Sequence, residues 1–137
     1  MEPYKKFRAN YIETKDILKQ AENEYFVLVY WTTCPHCFAL VSDATRYLEN
    51  KKSKNKLYLL DFTGEKDDLL FKETVQNEGE SKLDFIARYE KDSIGATNVK
   101  DINYYYVPML IHVMNKKVVN MVVLEDKISL YFKIYEE

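Results

Sequence analysis

The side chains best suited to chemistry in this chain are Cys34 and Cys37, its only two cysteines, within Trp31-Thr32-Thr33-Cys34-Pro35-His36-Cys37. At that spacing on a helix the two thiols share a face one turn apart, close enough to close a disulfide. Pro35 suits the first turn of a helix, where its missing N–H would have had no partner anyway. Cys34 then falls at the helix N-terminus, where free N–H groups and the macrodipole favour an anion. The thiolate is the reactive form of cysteine, so dithiol exchange is the chemistry this arrangement allows. Structural zinc takes four ligands, and the only histidines to complete a set are His36, pinned between the cysteines, and His112. A mononuclear site is not expected. A coincidental pair of buried thiols, or a zinc or iron–sulfur cluster shared by two copies, stays open.

The elements around the pair follow from apolar patterning. Tyr25 to Trp31 is a continuous apolar run of strand length, suited to a strand buried on both faces. A helix from Pro35 continues through Phe38, Ala39, Leu40, Ala44, Tyr47 and Leu48 and ends in the solvated run Glu49 to Lys56. Leu57 to Phe62 reads as a second buried strand, and strand–helix–strand implies a parallel pair with a right-handed crossover. Upstream, apolar residues between Tyr4 and Ala21 predict one or two short helices, the later near 14–22. Residues 67–103 read as mostly helical, with Leu69, Leu70, Phe71, Val75, Leu83, Phe85, Ile86, Tyr89, Ile94, Val99 and Ile102 inward and breaks at Gly79 and Gly95. Met109–Met114 and Val118–Leu124 flank the turn Asn115-Lys116-Lys117 and form an antiparallel hairpin. Glu125 to Tyr135 closes the chain as a helix.

At 137 residues, with 47% apolar and 31% charged residues, the chain has the balance of one globular domain. A net charge of −2 gives no reason to expect nucleic acid or an anionic membrane as partner. No 18-residue apolar stretch occurs, and the polar start Met1-Glu2-Pro3-Tyr4-Lys5-Lys6 lacks the apolar centre of a signal peptide. The chain as given is expected to be cytoplasmic, although an extracytoplasmic domain without its leader or anchor reads the same.

The buried strand running into Trp31-Thr-Thr-Cys34-Pro-His-Cys37, the β-α-β unit, and Val107-Pro108 opening a hairpin before a last helix together resemble the thioredoxin superfamily. The resemblance covers nearly the full length. It implies an α/β, thioredoxin-like fold: a central mixed sheet flanked by helices, in one domain over 1–137, with a helical segment at 63–103. It implies a cis Val107–Pro108 bond beside the cysteines, with Trp31, Val107 and Pro108 contacting substrate. The implied activity is thiol–disulfide exchange with protein substrates. Cys34 attacks, Cys37 resolves, Pro35 starts the helix and His36 stabilises the Cys34 thiolate. No metal or organic cofactor is needed, because the cysteine pair itself carries two electrons. Partners would be protein thiols or disulfides and a redox-recycling partner, with the chain a monomer. Pro35-His36 looks like the dipeptide of DsbA-type oxidases, which implies a more oxidising pair than a thioredoxin's Gly-Pro.

One departure stands out. Thioredoxins carry a buried acid six residues before the first cysteine, and this chain has Leu28. Proton transfer from Cys37 must then use water or another group. A rival reading keeps the fold but makes the chain an accessory or binding protein for transport or assembly, with a non-catalytic or regulatory cysteine pair. His112 is expected to be a buried, hydrogen-bonded histidine, and Tyr104 to Tyr106 a packing cluster beside Val107.

Overall fold

The computed structural model of the protein describes residues 3–64, 70–104 and 106–136. Its centre is the strand β1, Glu24–Tyr30, every residue of which after Glu24 is buried. A strand shielded on both faces needs helices on both sides, and its alternating side chains feed two separate cores. Tyr25, Val27 and Val29 point into one of them, with Phe85, Ile86 and Tyr89 of helix α3 (Lys82–Ser93). Phe26, Leu28 and Tyr30 point into the other. There they meet α1 (Pro35–Ala39), α2 (Val41–Glu49) and α4 (Glu125–Tyr135) through Cys37, Leu40, Ala44, Tyr47, Ile128 and Phe132.

β1 pairs in parallel with β2 (Lys56–Asp61), the helices between them forming the crossover, and antiparallel with β5 (Met109–Met114). β5 turns through Asn115 and Lys116, both at positive φ, into β6 (Lys117–Val122). Two central residues of that kind suit the right-handed twist of a two-residue hairpin. The sheet order is β2-β1-β5-β6. The outer edge of β2 is partly covered by the N-terminal segment, where the Ile12 N–H donates to the Leu59 carbonyl at 2.9 Å.

Two sequence readings need correction. The N-terminal segment holds 3-10 turns at Lys5–Asn10 and Thr14–Asp16 in place of α-helices. Among the described residues of 63–103 the chain is not mostly helical, α3 being the one α-helix there. Lys72–Glu73 (β3) and Asn103–Tyr104 (β4) instead pair in parallel as a second, two-stranded sheet. That sheet is tied down by polar contacts on a scale that apolar periodicity cannot register. The Asn103 amide reaches the Tyr89 carbonyl, Ser93 Oγ and Asp92 Oδ2, and Thr74 Oγ1 bonds Asn103 Oδ1. With α3 starting at Lys82, its buried stripe is Phe85, Ile86, Tyr89 and Ser93, so Leu83 turns outward at 69% exposure. Val75, Ile94 and Leu70 are exposed as well, while Leu69 and Tyr105 lie outside the described residues.

Candidate active site

The cysteines sit where β1 hands the chain to α1. Trp31 to Thr33 leave the sheet as a short loop, held by the Thr32 N–H donating to Thr63 Oγ1 at 2.6 Å. Thr63 is held in turn by Asp61 Oδ1, so the loops after β1 and β2 brace each other. Cys34 is the N-cap of α1 with extended backbone angles, and Pro35 takes the first helical position. Its sulfur accepts the Cys37 N–H at 3.4 Å, as a capping group should. The expected long helix is split, however: α1 ends at Ala39 and α2 starts at Val41. The dipole behind Cys34 is therefore that of little more than one turn.

The two thiols are free and differ in surroundings. Cys34 is half-buried, and its thiol lies 3.8 Å from the Val107 carbonyl. Cys37 is 4% exposed and packs into the same core as Leu28. Burial pushes the Cys37 thiol up to about 12, against a partial offset from the Trp31 N–H that donates to its sulfur at 3.4 Å. Cys34 and Glu125 push it the same way as burial. Cys34 is thus the more accessible sulfur, and burial favours the protonated form of Cys37.

His36 and Pro35 are exposed. His36 Nδ1 lies 2.9 Å from Glu125 Oε1, the first residue of α4, so the imidazole next to the cysteines comes paired with a carboxylate. Val107–Pro108 is a cis peptide, with Pro108 buried and Val107 half-buried. His36, Val107 and Pro108 share a groove of about 270 Å3 with Lys82, Ile86, Tyr106, Val123, Leu124, Glu125 and Asp126. Trp31, also expected at the substrate, is not among the groove's lining residues. It lines a small separate cavity together with Cys37.

Sequence reasoning missed Glu125 and Lys82, which reach the site from helices far along the chain. Ser81 was the one legible signal for the second of these helices. It caps α3 by accepting the Asp84 N–H at 3.1 Å, a serine followed three residues later by an acid. His112 lies elsewhere in the sheet, its Nε2 2.6 Å from Glu24 Oε2 and its Nδ1 2.7 Å from the Tyr131 hydroxyl. Among the described residues no group of three or more His, Cys, Asp or Glu side chains is placed to hold a metal ion. Nor is any described helix long and apolar enough to cross a membrane.

No family model matches this chain, and no curated protein matches its sequence. Solved structures do match its shape. A proposed oxidoreductase with a thioredoxin fold is 17% identical, with 96% of this chain and 97% of that one covered at a TM-score of 0.54. Thioredoxin f2 of Chlamydomonas reinhardtii is 12% identical, with 93% of this chain and 96% of that one covered at 0.50. Likeness at such identities speaks to architecture and leaves function to the site. With its mixed four-stranded sheet, one parallel pair and flanking helices, this chain has the thioredoxin fold.

Proposed function

We propose that the protein is a thiol–disulfide oxidoreductase acting on protein substrates through Cys34 and Cys37. The observation that carries this reading is the asymmetry of the pair. A half-buried Cys34 faces the Val107 carbonyl beside a groove, and a buried, proton-retaining Cys37 stands one turn behind it. In the reducing direction the Cys34 thiolate attacks one sulfur of a substrate disulfide. A mixed disulfide forms, and the other substrate sulfur leaves with the electron pair and takes up a proton. Cys37 then loses its proton and attacks Cys34 Sγ. The Cys34–Cys37 bond forms, the bond to substrate breaks, and substrate leaves as a dithiol two electrons richer. The oxidising direction is the reverse.

Val107 and Pro108 would hold an extended substrate segment, and His36 would favour the Cys34 thiolate. The pair itself is the redox centre, the partners are protein thiols or disulfides and a recycling partner, and the working unit is a monomer. The DsbA-like dipeptide Pro35-His36 supports a pair more oxidising than thioredoxin's. The test is catalysis of insulin reduction by dithiothreitol. Acceleration by the wild-type protein and none by Cys34→Ser is the expected result. No acceleration by the wild-type protein would leave a binding protein with a non-catalytic pair.

A further inference from the structure

A cavity lined in part by Cys37, and sharing no lining residue with the groove, has about 10 Å3 of room for the centre of a water-sized sphere. That is the space of one water molecule. Its walls include Tyr4, Tyr30, Trp31, Phe38, Val41 and Cys37. Tyr4 and Tyr30 are 1% and 2% exposed, their rings meet edge-to-face at 5.1 Å, and neither hydroxyl has a hydrogen-bond partner. The Tyr11 phenol bears on Tyr30 but falls short of a hydrogen bond by geometry. Two residues with buried, unpartnered hydroxyls lining one small space are uncommon, and a bridging water is the ordinary way to satisfy such groups.

Thr32, whose hydroxyl lies 3.1 Å from Thr63 Oγ1, and Cys37 line that space too, and the Cys37 proton must leave before its sulfur can attack. We propose that this cavity holds one water, positioned by the Tyr4 and Tyr30 hydroxyls, which takes the Cys37 proton and then hydrogen-bonds the resulting thiolate. The inference rests on the oxidoreductase reading for its purpose, though not for its measurement. In the step itself, Cys37 Sγ–H gives its proton to the water, which passes a proton on to bulk solvent, and the thiolate's electron pair forms the bond to Cys34 Sγ. The electron pair of the Cys34–substrate bond leaves on the substrate sulfur, which is protonated from solvent. The phenols act as positioning residues and do not lose their own protons. Burial, with Cys37 and Tyr11 nearby, holds the Tyr4 hydroxyl well above the usual phenol range, and burial with Tyr11, Asp61 and Tyr4 does so for Tyr30. The other titratable groups bearing on Cys37 are Cys34 and Glu125.

Two measurements test this with Tyr4→Phe, Tyr30→Phe and the double variant. In a Cys34→Ser background, the rate at which iodoacetamide alkylates Cys37 at pH 8 is followed by mass spectrometry, which needs no substrate. The double variant is expected to react at least about tenfold more slowly, a modest share of what positioned proton transfer usually contributes. Raising the pH should restore the rate. In a Cys37→Ser background, attack of Cys34 on a small aromatic disulfide should be unchanged, and so should the melting temperature, since each substitution removes a hydroxyl without a protein partner. Should one variant fail to fold, the other single variant carries the test. An unchanged Cys37 rate in a folded variant overturns the proposal, and so does an equal loss of Cys34 and Cys37 reactivity. Absent insulin reduction by the wild-type protein would defeat the oxidoreductase reading while leaving the alkylation result to judge the water site.

Discussion

Cys34 and Cys37 are three residues apart and stand in different media, one half-buried beside the Val107 carbonyl and one inside the core. Replacing each by serine should therefore give different failures. Cys34→Ser is expected to abolish turnover, whereas Cys37→Ser should still attack and then accumulate mixed disulfides, seen as mass additions that dithiothreitol removes. The reverse pattern would show the roles to be exchanged. His36 and Glu125 are paired beside the cysteines. His36→Pro should make the pair more reducing by at least about 30 mV, equivalent to about 1.4 kcal/mol for two electrons. Glu125→Gln removes a negative charge that disfavours a thiolate at Cys37, and should shift the potential the other way. Equal potentials in a glutathione titration would make both side chains bystanders. The cysteines, Pro35 and His36 were readable because their geometry is local, within one turn of helix. Glu125 was not, because its pairing with His36 spans 89 residues and only the fold brings them together.

At the level of elements, β1 bears the most weight. Leu28 lies at its centre, fully buried, in the core that also receives Cys37, Leu40 and Ala44. A carboxylate there would lose its hydration without an assured partner. Leu28→Asp is expected to destabilise the protein by about 1–3 kcal/mol, the range for a poorly satisfied buried polar group. A base under Cys37 should at the same time speed release of mixed disulfide at neutral pH. Urea unfolding together with the release rate checks both, and an unchanged unfolding midpoint would contradict this packing. β1, β2, the hairpin and α4 were legible in the sequence because each is a strong apolar pattern of one period bounded by polar residues. The stretch 63–103 misled for the opposite reason. Its apolar residues are spaced loosely enough to fit a helix, while its actual order comes from Asn103, Ser93, Thr74 and Asp92 hydrogen bonds. Leu83 looks inward-facing only until α3 is fixed by its Ser81 cap.

Across the whole molecule, the many tyrosines tie stability to pH. Burial is the leading cause that raises Tyr47 and Tyr131 to about 12, and Tyr4, Tyr30 and Tyr58 further, alongside Cys37 at about 12. These groups hold protons in the folded state that the unfolded chain gives up earlier, near the ordinary values of 9.0 for the thiol and 10.0 for the phenols. Their contribution is fully present below pH 9 and is lost as pH rises toward 12, since the unfolded state is then the one that ionises. Urea midpoints should be level near pH 8 and fall steeply by pH 11, with the slope of the unfolding free energy unchanged. A flat profile would mean that the phenols are not buried. The redox chemistry of the cysteine pair is open to one titration. Equilibrated against glutathione buffers, the protein should pass between dithiol and Cys34–Cys37 disulfide in one two-electron transition. Its midpoint should lie above thioredoxin's about −270 mV. Failure to form the intramolecular disulfide at any buffer ratio would show that Cys34 and Cys37 are not a redox pair.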